Sequence, residues 1–153
     1  MPIFPITEIR TALPRRTCLL GLDLGDKTIG LALSDPGLTI ASPIETLRRR
    51  KFTQDANALI EVIDRRNVGG LVLGLPVNMD GTEGPRCQST RQFGANFLEK
   101  RDIPIAFWDE RLSTAAVERL LTDEADMTRK RRGEVVDKMA AAYILQGALD
   151  SMA

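Results

Sequence analysis

The sequence predicts an α/β domain built on a mixed five-stranded sheet with helices on both faces. Three observations carry this. Two short apolar runs joined by a tight turn make a hairpin signature. Two later apolar runs alternate with helical segments, the pattern of parallel strands covered on both faces. The chain has 153 residues, 43% hydrophobic and 27% charged, which suits one domain with its own core.

The first residues, MPIFPITEIRTALPRR, hold no long apolar run and do not read as a signal peptide. Nothing later reaches the length of a membrane span, so no membrane partner is expected. Residues 1–16 are set apart as an N-terminal extension, and residues 17–153 as a single domain. Cys18–Leu24 is the first strand, ended by Gly25-Asp26-Lys27, and Thr28–Ser34 is the second. Leu38–Leu47 makes a third, and Pro43 assigns it to a sheet edge. Over Phe52–Arg66 the period changes: Ala56, Leu59, Ile60 and Ile63 share a helical face. Gly69–Leu75 is a continuous apolar run, a buried strand. Pro76–Pro85 is a loop of turn residues. Arg86–Arg101 is helical, with Phe93 and Phe97 four apart, and Ile103–Trp108 is the fifth strand. Ser113 or Thr114 can cap a short helix through Leu121. Thr122–Gly133 reads as a polar, basic, mobile loop, and Glu134–Asp150 as the last helix. Three strands followed by βα units is the order of a ribonuclease H-like fold. A doubly wound fold needs a helix after the first strand, where only a turn fits.

Composition narrows the chemistry. The chain has no histidine, which excludes Ser-His-Asp and Cys-His catalysis. Two cysteines, Cys18 and Cys87, cannot make a four-ligand zinc site. They are no disulfide framework either, and the expected compartment is a reducing cytoplasm. Any metal must be a hard cation on oxygen.

The formal net charge is +0, yet the charge is uneven. Arg48-Arg49-Arg50-Lys51 and Arg129-Lys130-Arg131-Arg132 hold eight of the 21 basic residues, leaving 13 basic against 21 acidic residues, a balance of −8. An acidic body with two dense basic patches fits a phosphate-backbone partner. Two solvated loops are the plainer alternative.

Three carboxylates are out of place. Asp23 interrupts an apolar strand, where an unpaired charge is costly. Glu110 follows the fifth strand directly, at the edge where α/β sheets gather ligands. Asp137 shares a helical face with Ala140, Ala141 and Ile144. Each has a structural alternative: a turn-capping Asp, a surface salt bridge at Asp109-Glu110-Arg111, and a first-turn acid favoured by the helix dipole. Together they can converge, and converging carboxylates without histidine suit Mg²⁺ or Mn²⁺. Two such ions about 3.5–4 Å apart drive in-line phosphodiester displacement.

GLDLGDKTIGLALSD (21–35), ASPIETL (41–47), GLVLGLPVNMDGTEGP (70–85), DERLST (109–114) and VVDKMAAAYILQGAL (135–149) closely resemble the motifs of the YqgF/RuvX family. The resemblance spans Leu20 to Leu149. It implies a ribonuclease H-like fold and matches Asp23, Glu110 and Asp137 to the family's three acids. It implies a Mg²⁺- or Mn²⁺-dependent endonuclease on structured nucleic acid, with 5′-end maturation of pre-16S ribosomal RNA favoured over Holliday junction resolution. Precursor rRNA is the favoured partner, and branched DNA, a ribosomal particle and a homodimer are further candidates. Thr28 stands where many members carry Arg, and Asp26 where Thr or Ser is common.

Asn78, Asp80 and Thr82 can touch substrate or simply build their turn. Arg111 can pair with Asp109 or a phosphate. Trp108 and Tyr143 read as core residues. A non-catalytic RNA-binding assembly factor is the rival from another class. An actin-like ATPase, suggested by Gly21–Gly25, needs two such domains, and no Walker A pattern is present.

Overall fold

β1 (Cys18–Leu24) runs through the middle of a five-stranded sheet of order β3-β2-β1-β4-β5. The computed structural model describes residues 3–78, 80–110 and 129–152, with the side chains of the last stretch described from Lys138 onward. β2 (Thr28–Ser34) and β3 (Ala41–Arg48) complete an antiparallel meander with β1, and β4 (Val68–Leu75) and β5 (Ile105–Asp109) add in parallel. The mixed sheet expected from sequence is what forms. β4 is buried along its whole length, as its unbroken apolar run requires. β3 is an edge strand. Pro43 lies beside its bulge, a place where strand prolines are tolerated. The strand starts at Ala41 rather than Leu38, because Asp35 holds a turn ahead of it. Its carboxylate accepts from the Thr39 and Ile40 amides, both at 2.8 Å.

The two faces carry separate cores. On one, α2 (Phe52–Arg66) and α3 (Pro85–Lys100) cover Leu20, Leu22, Leu24, Leu71, Leu73 and Ile105. On the other, α4 (Arg129–Met152) covers Leu19, Ala32, Val72 and Ala106 with Ala141, Ile144, Leu145 and Ala148. Residues 3–16 close the same side. Ile9, in the single-turn α1 (Ile9–Ala12), is fully buried there, and Ile3 bridges to Ile105 of β5.

α4 begins at Arg129, five residues before the expected start. The second basic tetrad therefore forms the helix's first turn and is not a loop. Arg and Lys are good helix formers, and one internal glycine, Gly133, costs only about 1 kcal/mol. Tyr143 also departs from expectation. It is 36% exposed, whereas Trp108 is half-buried against Gly147. The expected 113–121 helix and the 122–128 segment lie outside the described residues. Both cysteines are buried and free. Among the described residues no helix is long and apolar enough to cross a membrane.

The seat of α4 depends on Gly21. A Cβ there would lie 2.9 Å from Leu145 Cβ and 3.1 Å from the Ala141 carbonyl. Gly21→Val should push α4 off the sheet and cost about 1–3 kcal/mol, the usual price of overpacking. A urea titration checks it; a wild-type midpoint would show that the helix can shift freely.

Candidate active site at the carboxyl edge of the sheet

Side chains alternate along β1, so Asp23 points to the face of Leu19 and Gly21, the face under α4. It pairs with Gly30 of β2, and its neighbour Leu22 pairs with Leu73 of β4. Asp23 thus stands level with Gly74, one strand over. It is half-buried.

Glu110 reaches the same spot from β5. Its amide donates to the Leu75 carbonyl at 3.2 Å, which pins the chain to the end of β4. The side chain then folds back over Gly74. A Cβ on Gly74 would run into Glu110 Oε2 and stand 2.6 Å from Ile144 Cδ1. Gly74 therefore leaves a cradle in a buried strand, and the carboxylate fills it. The other signal is electrostatic. Glu110 Oε2 is buried and has no hydrogen-bond partner. Burial pushes the Glu110 carboxyl above the usual carboxylate range; the Arg86 charge pulls it back in part, and Asp109 adds to the rise. A carboxylate kept buried with an orphan oxygen is expensive unless something cationic completes it.

Asp137 lies on α4, one turn before Ala141, whose carbonyl faces Gly21. α4 descends from there to Gln146, which bonds Thr39 and Ala41 at the opposite edge of the sheet. The start of α4 is thus directed toward the edge that holds Asp23. The Asp137 side chain is outside the described residues, as are Arg111 and the side chains of Arg129, Lys130, Arg131 and Arg132. Among the described residues no three metal-ligating side chains cluster. Asp23 and Glu110 supply oxygen donors suited to Mg²⁺ or Mn²⁺, and the orphan Oε2 fits that role.

The first basic patch divides. Arg48, Arg50 and Lys51 are exposed where β3 passes into α2. Arg49 is partly buried: Nη1 donates to the Gly25 carbonyl at 2.7 Å, and the guanidinium lies 5.9 Å from the Phe93 ring centre. Both tetrads sit at helix N-termini, where the dipole repels cations and attracts anions. Asn78, Asp80 and Thr82 build their turn. Asp80 accepts from the Thr82 amide at 3.0 Å and hydroxyl at 2.6 Å, and Asn78 donates to Thr82 Oγ1 at 3.1 Å.

Sequence reading missed two contributors. Gly74 was visible as a glycine inside a buried run, a mark of close approach. Arg86 gave no signal, being one more charge on an amphipathic helix.

The family model for RuvX, described as Holliday junction resolvase, matches residues 17–151. The chain belongs to the RuvX family. Relatives carry the name "Putative pre-16S rRNA nuclease". That of Paramagnetospirillum magneticum is 67% identical, over 99% of this chain and 97% of its own. That of Rhodospirillum rubrum is 61% identical, over 99% and 94%. In fold, this RuvX-family chain is similar to RuvC of Thermus thermophilus, solved in complex with a Holliday junction substrate (TM-score 0.52, 12% identity, 89% of this chain and 96% of that one). It is similar also to the fowlpox virus resolvase, solved with Holliday junction DNA (TM-score 0.52, 10% identity, 89% and 99%). These likenesses show the ribonuclease H-like fold.

The raised carboxyl of Glu110 sets a stability prediction. Its folded pKa exceeds its unfolded one, so the ionised group penalises the metal-free fold at neutral pH, and the penalty fades as pH falls through the raised value. Glu110→Gln should stabilise the metal-free protein at pH 7 by about 1 kcal/mol, or about 2–4 °C in Tm. The gain should shrink toward pH 4. Thermal scans across that range check it, and a gain constant with pH would contradict the charge penalty.

Proposed function

We propose that this protein is a metal-dependent endonuclease that trims precursor 16S ribosomal RNA in the cytoplasm, using Asp23, Glu110 and Asp137. The observation that carries the reading is the orphan Oε2 of Glu110, cradled at Gly74 beside Asp23. The curated relatives' shared name supports the RNA substrate.

Bound at this edge, Mg²⁺ or Mn²⁺ would lower the pKa of a water and neutralise charge on the phosphate and its leaving oxygen. The chain's own groups do the rest. Asp23 offers acceptor oxygens from β1, Glu110 offers them from the end of β5, folded back over β4 to the level of Asp23, and Asp137 offers a third from the start of α4. β1 holds the first in fixed geometry, and the end of β5, pinned to β4 by the Glu110 amide, holds the second. Arg48, Arg50, Lys51, Arg111 and the Arg129–Arg132 tetrad bind the phosphate backbone around the cut. The N-terminal dipoles of α2 and α4 add to that attraction. Holliday junction resolution is the second reading, favoured by the fold shared with junction resolvases. It requires two copies of the site in a dimer.

Asp23→Asn, Glu110→Gln and Asp137→Asn should each cut metal-dependent cleavage by more than about 100-fold, beyond the 10–100-fold cost of losing an outer-shell partner. The assay offers precursor 16S RNA and a four-way DNA junction, each with Mg²⁺, Mn²⁺ or EDTA. Cleavage of neither substrate, or cleavage that survives EDTA, would overturn the reading. Cleavage of the junction alone would select the second reading.

Replacing Arg129, Lys130, Arg131 and Arg132 with Ala should weaken RNA binding and flatten its salt dependence. Each lost phosphate contact removes about 0.7–0.9 from the slope of log K against log salt. Filter binding at several salt concentrations measures this. A wild-type slope would leave Arg48–Lys51 as the remaining patch.

A further inference from the structure

On the opposite side of the sheet edge from Asp23, a small pocket opens between the end of β1, Arg49 and the first turns of α3. Its volume is about 50 Å³, and it is lined by Gly25, Arg49, Arg86, Ser89, Thr90 and Phe93 among others. With one water taking roughly 10–15 Å³, the pocket holds about four oxygen-sized groups. That is room for a phosphate.

The lining is built for an anion. Among the described residues neither Arg49 nor Arg86 forms an ion pair, although Arg65, Arg91 and Arg101 all do. Arg49 is held in place by the Gly25 carbonyl and the Phe93 face, which leaves its remaining N–H groups fixed in direction. Arg86 is exposed in the first turn of α3, a 16-residue helix with no acidic residue in that turn. Thr90 spends its hydroxyl proton on the Arg86 carbonyl at 3.0 Å, while Ser89 stands exposed at the wall. Asp26, exposed on the turn, is the acidic group in the lining. Two guanidiniums outweigh it.

We propose that the Arg49–Arg86 pocket binds a phosphodiester group of the substrate backbone, one that flanks the bond being cut. This rests on the nuclease reading above and adds to it a defined anchor point. The pocket lies at the end of β1, just past Asp23, and Arg86 is close enough to Glu110 for its charge to be felt there. A strand crossing the carboxyl edge would place one phosphate over the carboxylates and a neighbouring one between the arginines. The pocket then sets register, and the carboxylates set chemistry.

The test uses the full chain in two arms. In the first, a labelled structured RNA is bound to Glu110→Gln protein, so that no cleavage intervenes. Arg86→Ala, which removes an exposed side chain, should weaken binding about five- to tenfold and lower the salt slope by about 0.7–0.9. Arg49→Gln should do the same. One methylphosphonate, placed singly along the RNA, should weaken wild-type binding at a flanking position and have no further effect there in Arg86→Ala. In the second arm, inorganic phosphate is titrated while the arginine Nε resonances are followed by NMR. Arg49 and Arg86 should shift together, and the Arg49 shift should vanish in Arg86→Ala. RNA binding with wild-type affinity and slope in both variants overturns the pocket and leaves the nuclease reading intact. A protein that binds no nucleic acid yet takes free phosphate at these arginines overturns the diester assignment together with that reading.

Discussion

The architecture hangs on two missing β-carbons. At Gly21 the backbone of α4 comes down onto β1, and at Gly74 the Glu110 carboxylate comes down onto β4. Both glycines face the same side of adjacent strands. A side chain at the first would lift the helix, and one at the second would expel the carboxylate. The close seat of α4 also brings Ile144 against Gly74 and buries Glu110 Oε2. Packing and chemistry are thus one constraint. The apolar helix that stabilises the sheet also strips water from the Glu110 carboxyl.

The chain's zero net charge hides a sharp separation of sign. Carboxylates occupy the carboxyl edge of β1 and β5, while basic runs lie just before α2 and at the start of α4, with the single Arg86 in the first turn of α3. α4 begins with cations where its dipole favours anions, whereas the first turn of α2 carries Asp55. At α4 that arrangement works against folding. Elements that lower stability without a packing reason are where function is found.

Much of this was legible in the sequence. The continuous run from Gly69 to Leu75 declared a strand covered on both faces, and Pro43 declared an edge. Asp23 stood out because no polar group belongs among those leucines. What stayed hidden was geometry that crosses elements. Glu110 stood out by its place after a strand, but nothing local says that its side chain folds back over Gly74. Arg86 lay on a helix whose polar face is ordinarily just solvated. The start of α4 was misplaced because Gly133 and a run of like charge read as a loop, whereas a long helix anchored further along by Ala141 and Ile144 carries both.

The two borders of the sheet are closed in different ways. Along β3, Pro43 and its adjacent bulge interrupt the row of donors and acceptors that another strand would need. Along β5, the segment at Ile3 and Phe4 already takes up the start of the row, with the Phe4 amide donating to the Ile105 carbonyl at 2.8 Å. Neither rim offers a long template for sheet extension. Self-association by continuous β-pairing along the described edges, a route to aggregates, is thereby discouraged.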